Sequence, residues 1–507
     1  MSARKAIGSV KIEIVNDGEE LGKFALSEVK GDVNASNNIK EFKDLFSNQA
    51  DNYSKSEIAS LLFNDDRMKY STQLVITTDI YGIIQFDSSR VYRQLIECII
   101  DWGDDTIEIY SNSPEEIKHQ YFYPGDFTVK IYGIFNMKLL KGTLLDVINF
   151  GQTTTQILET QYLFTNYQNK QFSAMDVPTF YNWDRCKNFT GMFYNSQLFN
   201  QDLSKWCFDG IVVGTNMFGN CPSFNQPLEI DTSNLINADG MFYNCVKFNQ
   251  DLSNWNVQNL YSAKKMFYNC IEFNGDLSTW DTWQLRSANM MFMGCKILET
   301  DFSDWDVRNL SDATDMFNSC FKFNSELNNW NVSNLKKMER MFKDCLIFNQ
   351  PLDKWDVSNI RSLEKTFYGC ELFNQDISNW NTVKNINLSE TFAYCYSFNQ
   401  NMNTFNTVNV RTMHRTFFYC VKFASSVNNW ITVNVSDSSE MFYNCLNMWE
   451  APLSWDTGNI IDMSGMFYNT DVIDESVDFT VWNVNKVIRF QHFLNDDSVS
   501  IRPQWKK

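Results

Sequence analysis

The chain has 507 residues and a formal net charge of −18 at pH 7. A polyanion of that size repels phosphate backbones, and no Lys/Arg block interrupts it, so nucleic acid is excluded as an expected partner. Aromatics are 15% of the residues against only 8 prolines and 20 glycines, which supplies a large core and argues against disordered or collagen-like chain.

The N-terminal stretch "MSARKAIGSV" has a basic cluster without an apolar h-region, so no secretory leader is expected and synthesis in the cytoplasm is. No run of eighteen apolar residues follows, so no transmembrane segment is expected. Within residues 1–70, "SVKIEIV" reads as a strand, and "IKEFKDLFSN" and "SKSEIASLLFNDDRMK" read as short amphipathic helices, together an α+β module and a possible anchor. Residues 71–140 read as a small β-sandwich. An apolar strand runs into Trp102-Gly103-Asp104, and a tight turn at Pro124-Gly125 precedes an alternating strand. Asp104, Asp105 and Glu108 could hold a cation there, but carboxylates that cap turn N–H groups are the preferred reading.

From residue 141 to 475 the chain repeats itself. A Met/Thr-Phe pair recurs at 192, 217, 241, 266, 291, 316, 341, 366, 391, 416, 441 and 466, in steps of 25 residues with a single step of 24. Twelve units at that regularity predict a repeat solenoid of about twelve coils. The Phe of the pair never varies, a second Phe recurs in "FNQ", and a Trp column runs from Trp206 to Trp455 with Phe405 substituting once. Each large apolar side chain contributes roughly 1.5–3 kcal/mol on burial. Ordering 25 residues costs on the order of 1.5 kcal/mol each, so one coil cannot stand alone and must bury its core against its neighbours. An Asn column four residues after the aromatic, at Asn259, Asn309, Asn334, Asn359, Asn409, Asn434 and Asn459, predicts amides that satisfy turn groups between coils. Within a unit, "DLSNWNV" reads as one short parallel strand and "SNLKKMERMFKDC" as a helical turn. That is a leucine-rich-repeat-like plan. Residues 476–507 read as a degenerate last coil, a C-terminal cap.

Ten of the thirteen cysteines fall in one column: Cys221, Cys245, Cys270, Cys295, Cys320, Cys345, Cys370, Cys395, Cys420 and Cys445. Neighbours stacked about 4.8 Å apart and pointing the same way do not suit a disulfide. A straight column offers zinc at most about two ligands at once, so no metal is expected. Reduced thiols filling the core remain. The three histidines, His119, His414 and His492, lie far apart in the chain, and no phosphate loop, H-E-x-x-H or C-x-x-C occurs. No enzyme activity and no cofactor are expected. Recurrent acids at Asp202, Asp251, Asp276, Asp301, Glu326 and Asp376 read as solvated carboxylates of the outer face. The residue after each Met/Thr-Phe pair varies between coils, and its tyrosines, Tyr194, Tyr243, Tyr268, Tyr368, Tyr443 and Tyr468, are the candidate binding residues. Packing along the coil is the alternative for them.

"DLSNWNVQNLYSAKKMFYNCIEFN" and "PLDKWDVSNIRSLEKTFYGCELFNQ" resemble the repeats of BspA-type leucine-rich-repeat surface proteins of bacteria, mycoplasmas, protists and large DNA viruses. The segment around Trp102-Gly103-Asp104 is similar to the PKD-type β-sandwich that often precedes such repeats. The resemblance implies adhesion and protein binding, with the protein or glycan surface of a host cell or of a particle assembly as partner. A structural component of a large DNA virus particle is the alternative. By the same resemblance the protein would be virion- or surface-associated. The family carries no common functional residues to transfer.

Overall fold

The computed structural model describes residues 10–11, 72–178, 187–471, 477–495 and 503, apart from short gaps at 79, 89–96, 105, 111–113, 115, 152–154, 158–159, 207 and 209. The two helices expected within residues 1–70, and Asp105, lie outside the described residues. The chain divides into two compact units, residues 1–230 and 231–507.

In the first unit, alternation of apolar and polar residues makes strands. β2 (Thr72–Thr77) buries every second side chain, as a strand with one covered face should. It lies between β7 (Asp126–Phe135) and β9 (Thr143–Phe150). With β1 (Val10–Lys11), β4 (Glu97–Asp101) and β5 (Ile107–Tyr110), these form a sheet ordered β1-β5-β4-β7-β2-β9, to which β10 (Thr155–Ile157) adds in parallel along β7. A second sheet joins β6 (Ile117–Gln120), β3 (Ile83–Phe86) and β8 (Leu139–Lys141). Nothing in this seven-stranded plus three-stranded arrangement supports the PKD-like expectation. Between β4 and β5, Gly103 adopts φ +81°, and a Cβ there would meet the Thr128 carbonyl oxygen at 2.5 Å, so the turn requires glycine.

The repeats form coils, but not those of a leucine-rich repeat. Among the described residues there is no α-helix, only a single 3-10 turn at Phe479–Val481. The segment expected to be a helical turn is instead a chain of tight turns. In Ala263–Cys270, the N–H groups of Ala263, Lys265, Phe267 and Asn269 donate to carbonyls of Ser287, Asn289, Met291 and Met293 in the next coil at 2.7–3.1 Å. The intervening N–H groups of Met266, Tyr268 and Cys270 turn back to carbonyls three residues earlier at 3.0–3.2 Å. Lys265 and Asn269 have φ of 55° and 56°, left-handed values that a right-handed helix cannot contain. The same two left-handed positions recur in later coils, for example at Arg340 and Asp344.

The expected strand is also displaced. "DLSNWNV" closes two turns, Ser253 N–H to Asp251 Oδ1 at 2.8 Å and Trp255 N–H to the Leu252 carbonyl at 3.0 Å. Parallel pairing is reduced to one residue per coil, two positions after the closing Leu or Ile. It runs through Asn237, Ser262, Ser287, Asp312 and Lys337, and again through Ser362, Asn387, Thr412, Asp437, Asp462 and Arg489. Asp202, Asp301 and Asp376 make the same turn as Asp251, each accepting the N–H of a Ser two residues on. That bond, first among its causes, holds each carboxyl below its usual range. They are exposed, but they shape the coil rather than merely solvating it.

The core columns form as expected. In the second unit Phe267 stacks on Phe292 at 5.4 Å and on Phe273 of its own coil at 4.2 Å, and Trp255 stacks on Trp280 at 6.4 Å. The Asn259 column donates to carbonyls of the preceding coil at 2.7–2.8 Å throughout. A second Asn column, that of "FNQ", is its counterpart. Its carboxamide oxygens accept the next coil's backbone N–H, as from Asn349 to Asn324 at 2.9 Å and from Asn399 to Asn374 at 2.8 Å.

The ten column cysteines are free and fully buried. They do more than fill space. Cys270 through Cys445 each donate Sγ–H to the Phe carbonyl 28 residues earlier, at 2.9–3.1 Å, and Cys221 does the same to Phe193. Burial pushes the Cys221 thiol up to about 12 and raises the others that shift. The Trp column is built alike: indole N–H groups from Trp280 to Trp455 reach a carbonyl 28 residues back at 2.7–3.0 Å.

Two outcomes follow. With a thiol reagent at pH 8, the column cysteines should label only as fast as the chain unfolds, while denatured, unreduced protein should show them all reactive. Trp355→Phe keeps the ring stack and removes one donor to the Leu327 carbonyl, so the denaturation midpoint should fall by the equivalent of about 1–2 kcal/mol.

Candidate functional site

The position after each Met/Thr-Phe pair follows directly on a buried Phe and precedes a left-handed residue, and its side chain ranges from buried, at Asn318, Ala393 and Phe418, to half-buried. Tyr194, Tyr243, Tyr268, Tyr368, Tyr443 and Tyr468 are all half-buried, neither sealed in the core nor free of neighbours. They pack along the coil, the alternative to a binding role, while part of each ring stays accessible. Tyr243 and Tyr268 stack on each other at 5.1 Å, and Tyr194 packs where Gly219 leaves room, in the other unit.

The remaining three belong to a larger group in the last coils. Tyr368 meets Tyr394 at 5.2 Å, and Tyr394 meets Phe418 and Tyr419 at 5.4 Å each. Phe418 stacks on Tyr443 at 5.1 Å, Tyr443 on Tyr468 at 4.8 Å, and Tyr468 abuts His492 at 6.0 Å. The result is a continuous aromatic band across the coils. Burial pushes the Tyr368 hydroxyl up to about 12 and raises Tyr443, so both remain O–H donors at neutral pH.

Tyr394 and Tyr419 were not singled out by the sequence, and they are the most unusual members. They occupy the second left-handed position, with φ of 62° and 59°. In the other coils that position holds Asn195, Asn220, Asn244, Asn269, Gly294, Ser319, Asp344, Gly369, Asn444 and Asn469. Asn, Asp and Gly tolerate this conformation, whereas a bulky side chain pays on the order of 1–2 kcal/mol for it. The signal was available in the sequence: two tyrosines in a column otherwise made of turn-forming residues.

Beside the band runs the first left-handed column, in which charges of opposite sign meet between coils. Arg340 forks onto Asp315, Lys365 reaches Glu390 at 3.2 Å, and Arg415 forks onto Glu440 with contacts of 2.8–3.0 Å. The Arg415 guanidinium also lies over the Phe418 ring at 4.7 Å. The column then loses its side chain at Gly465, φ +62°, and a groove of about 490 Å³ opens there, lined by Arg415, Phe418, Glu440, Tyr443 and His492 among others.

The remaining expected groups do not converge on this site. In the first unit, Asp104 accepts the Thr106 N–H and pairs with His119 at 2.7 Å, while Glu108 accepts from the Trp102 indole and the Tyr110 hydroxyl. Asp104 caps a turn N–H as the preferred reading has it, whereas Glu108 is held by two core side chains instead. His414 bonds Ser439 at 2.8 Å. Among the described residues no group of three or more His, Cys, Asp or Glu is placed to hold a metal ion, and no helix is long and apolar enough to cross a membrane.

No curated protein matches the chain, and no solved structure does. A protein-family profile matches it four times over, at residues 158–280, 254–354, 345–454 and 446–500. That family is not the BspA-type leucine-rich repeat, and the helix-free coils agree in excluding that assignment. The match carries no adhesion or virion role with it. Because the matched segments tile more than half of the sequence, the chain belongs to the repeat family described as Mycoplasma protein of unknown function, DUF285.

Proposed function

We propose that this chain is a non-catalytic binding protein that engages an external macromolecular surface through the aromatic band of its last coils, from Tyr368 to His492. One observation carries the reading: Tyr394 and Tyr419 adopt a left-handed backbone that their own columns elsewhere reserve for small turn residues. Strain kept at a surface position, in a fold that has a ready alternative at every other coil, is the mark of a site retained for contact rather than for stability. Tyrosine suits that task, since it brings a large rigid ring and a polar tip at low entropic cost. The fixed columns beneath the band hold it rigid.

The double variant Tyr394→Asn/Tyr419→Asn separates contact from stability. Asn is what neighbouring coils use, so the variant should fold and gain about 1 kcal/mol per site, read as a raised melting temperature. Full-length protein screened against glycan and cell-surface protein arrays should give ligands whose binding the double variant weakens at least tenfold. A variant that is stabilised yet binds every such ligand unchanged would overturn the reading, as would an array on which the parent chain binds nothing.

A further inference from the structure

The groove at Gly465 sits at the end of this band, and its lining is more specific than the band itself. We infer that it is a subsite for a neutral saccharide unit, an inference that rests on the band being the binding surface and adds the class of ligand it takes.

One position of the groove's lining lacks a side chain. Lys365, Glu390, Arg415 and Glu440 precede Gly465 in the same left-handed column, each with a side chain laid against its neighbour's coil. At Gly465 a Cβ would meet Glu440 Cγ at 2.9 Å, so the Glu440 side chain lies against this position and any side chain placed here must displace it. A volume of about 490 Å³ accommodates one or two sugar rings or a short peptide side chain.

Charge and chemistry choose between occupants. The chain as a whole carries −18, which disfavours an anionic ligand. A cationic ligand meets Arg415, whose guanidinium already covers the Phe418 face at 4.7 Å and so takes the cation–π position for itself. Arg415 and Glu440 neutralise each other through their bidentate pair, leaving the groove without net charge from those two. A neutral ligand remains. Eight of the ten lining residues carry hydrogen-bonding side chains, Ser464, Gln491 and His492 among them, which is wasteful for an apolar side chain and fitting for a ring of hydroxyls. The Arg415–Glu440 pair offers donors and acceptors already fixed in position. Tyr443 and Tyr468, face to face at 4.8 Å and 19° apart, cover each other's inner faces and form no box that would enclose a quaternary ammonium.

The test titrates the full chain with cellobiose, lactose and diacetylchitobiose, read by saturation-transfer NMR and calorimetry. At least one should bind with Kd below about 10 mM. Gly465→Lys restores the side chain found in this conformation at Lys365 and should raise that Kd at least tenfold, while Tyr243→Ala, outside the groove, should not change it. Should Gly465→Lys fail to fold, Gln491→Ala/His492→Ala takes its place with the same expected loss. No binding of any of the three sugars, or binding that the groove variants leave unchanged, overturns the saccharide subsite. If the sugars fail while an array ligand still depends on Tyr419, the binding function stands and the ligand class is wrong. If both fail, the function falls with it.

Discussion

The constraint on which this structure depends is that a coil without helix or strand cannot satisfy its own backbone. In a helix each N–H finds its carbonyl four residues back; here half of the N–H groups of the turn segment have no partner within their coil and must find one in the next. A buried carbonyl or amide left unpaired costs about 1–3 kcal/mol, so every coil depends on its neighbour's register. The 25-residue period is the geometric expression of that dependence. Insert a residue, and N–H groups such as those of Lys265 and Phe267 face the wrong atoms.

Side chains take up what the backbone leaves. Cys Sγ–H and Trp Nε1–H reach carbonyls 28 residues back, and the Asn column after the tryptophan caps carbonyls 26 residues back. The Asn of "FNQ" reverses the direction and accepts an N–H from the next coil. The invariance of these columns is therefore as much about donors and acceptors as about volume. Cysteine combines a small apolar body with a donor that fits under a Phe carbonyl, which is why a column of thiols here requires neither metal nor disulfide.

This division explains what could be read from the sequence. The Phe and Trp columns declare a stacked core through periodicity alone, and the amides of Asn259 and its equivalents follow from their spacing. The local backbone did not follow. Lys265, Arg340, Lys365 and Glu390 are good helix formers, and propensity reads them as a helix. Their left-handed φ comes from the inter-coil bonds, which outweigh a preference of a few tenths of a kcal/mol per residue. The hint lay four residues on, where Asn, Gly, Asp or Ser stands directly before the cysteine at the end of the supposed helical turn. Tyr368, Tyr443 and Tyr468 were legible as a variable column, but the groove was not, because its lining comes from several coils that only the stack brings together.

In a fold built on repeating columns departures are informative; Ile230 in the Trp column and Leu298 in the second Phe column lie in earlier coils, and a further set falls close together. Phe405 replaces the column tryptophan, Tyr394 and Tyr419 replace turn residues, and Gly465 replaces a charged one, all within the last coils of the second unit. Two of these departures weaken the coil: Phe405 gives up an indole donor, and the tyrosines accept an unfavourable backbone. The neighbouring coils show that Trp, Asn and Lys are each compatible with these positions, so the stable solution was within one substitution. The strain is tolerable because each coil is fastened on both sides by many inter-coil bonds, so a cost of about 1–2 kcal/mol at one residue does not unseat it. A stack this redundant can carry local instability at its surface, as it does at the left-handed Lys, Arg and Glu positions and again at the two tyrosines of the aromatic band.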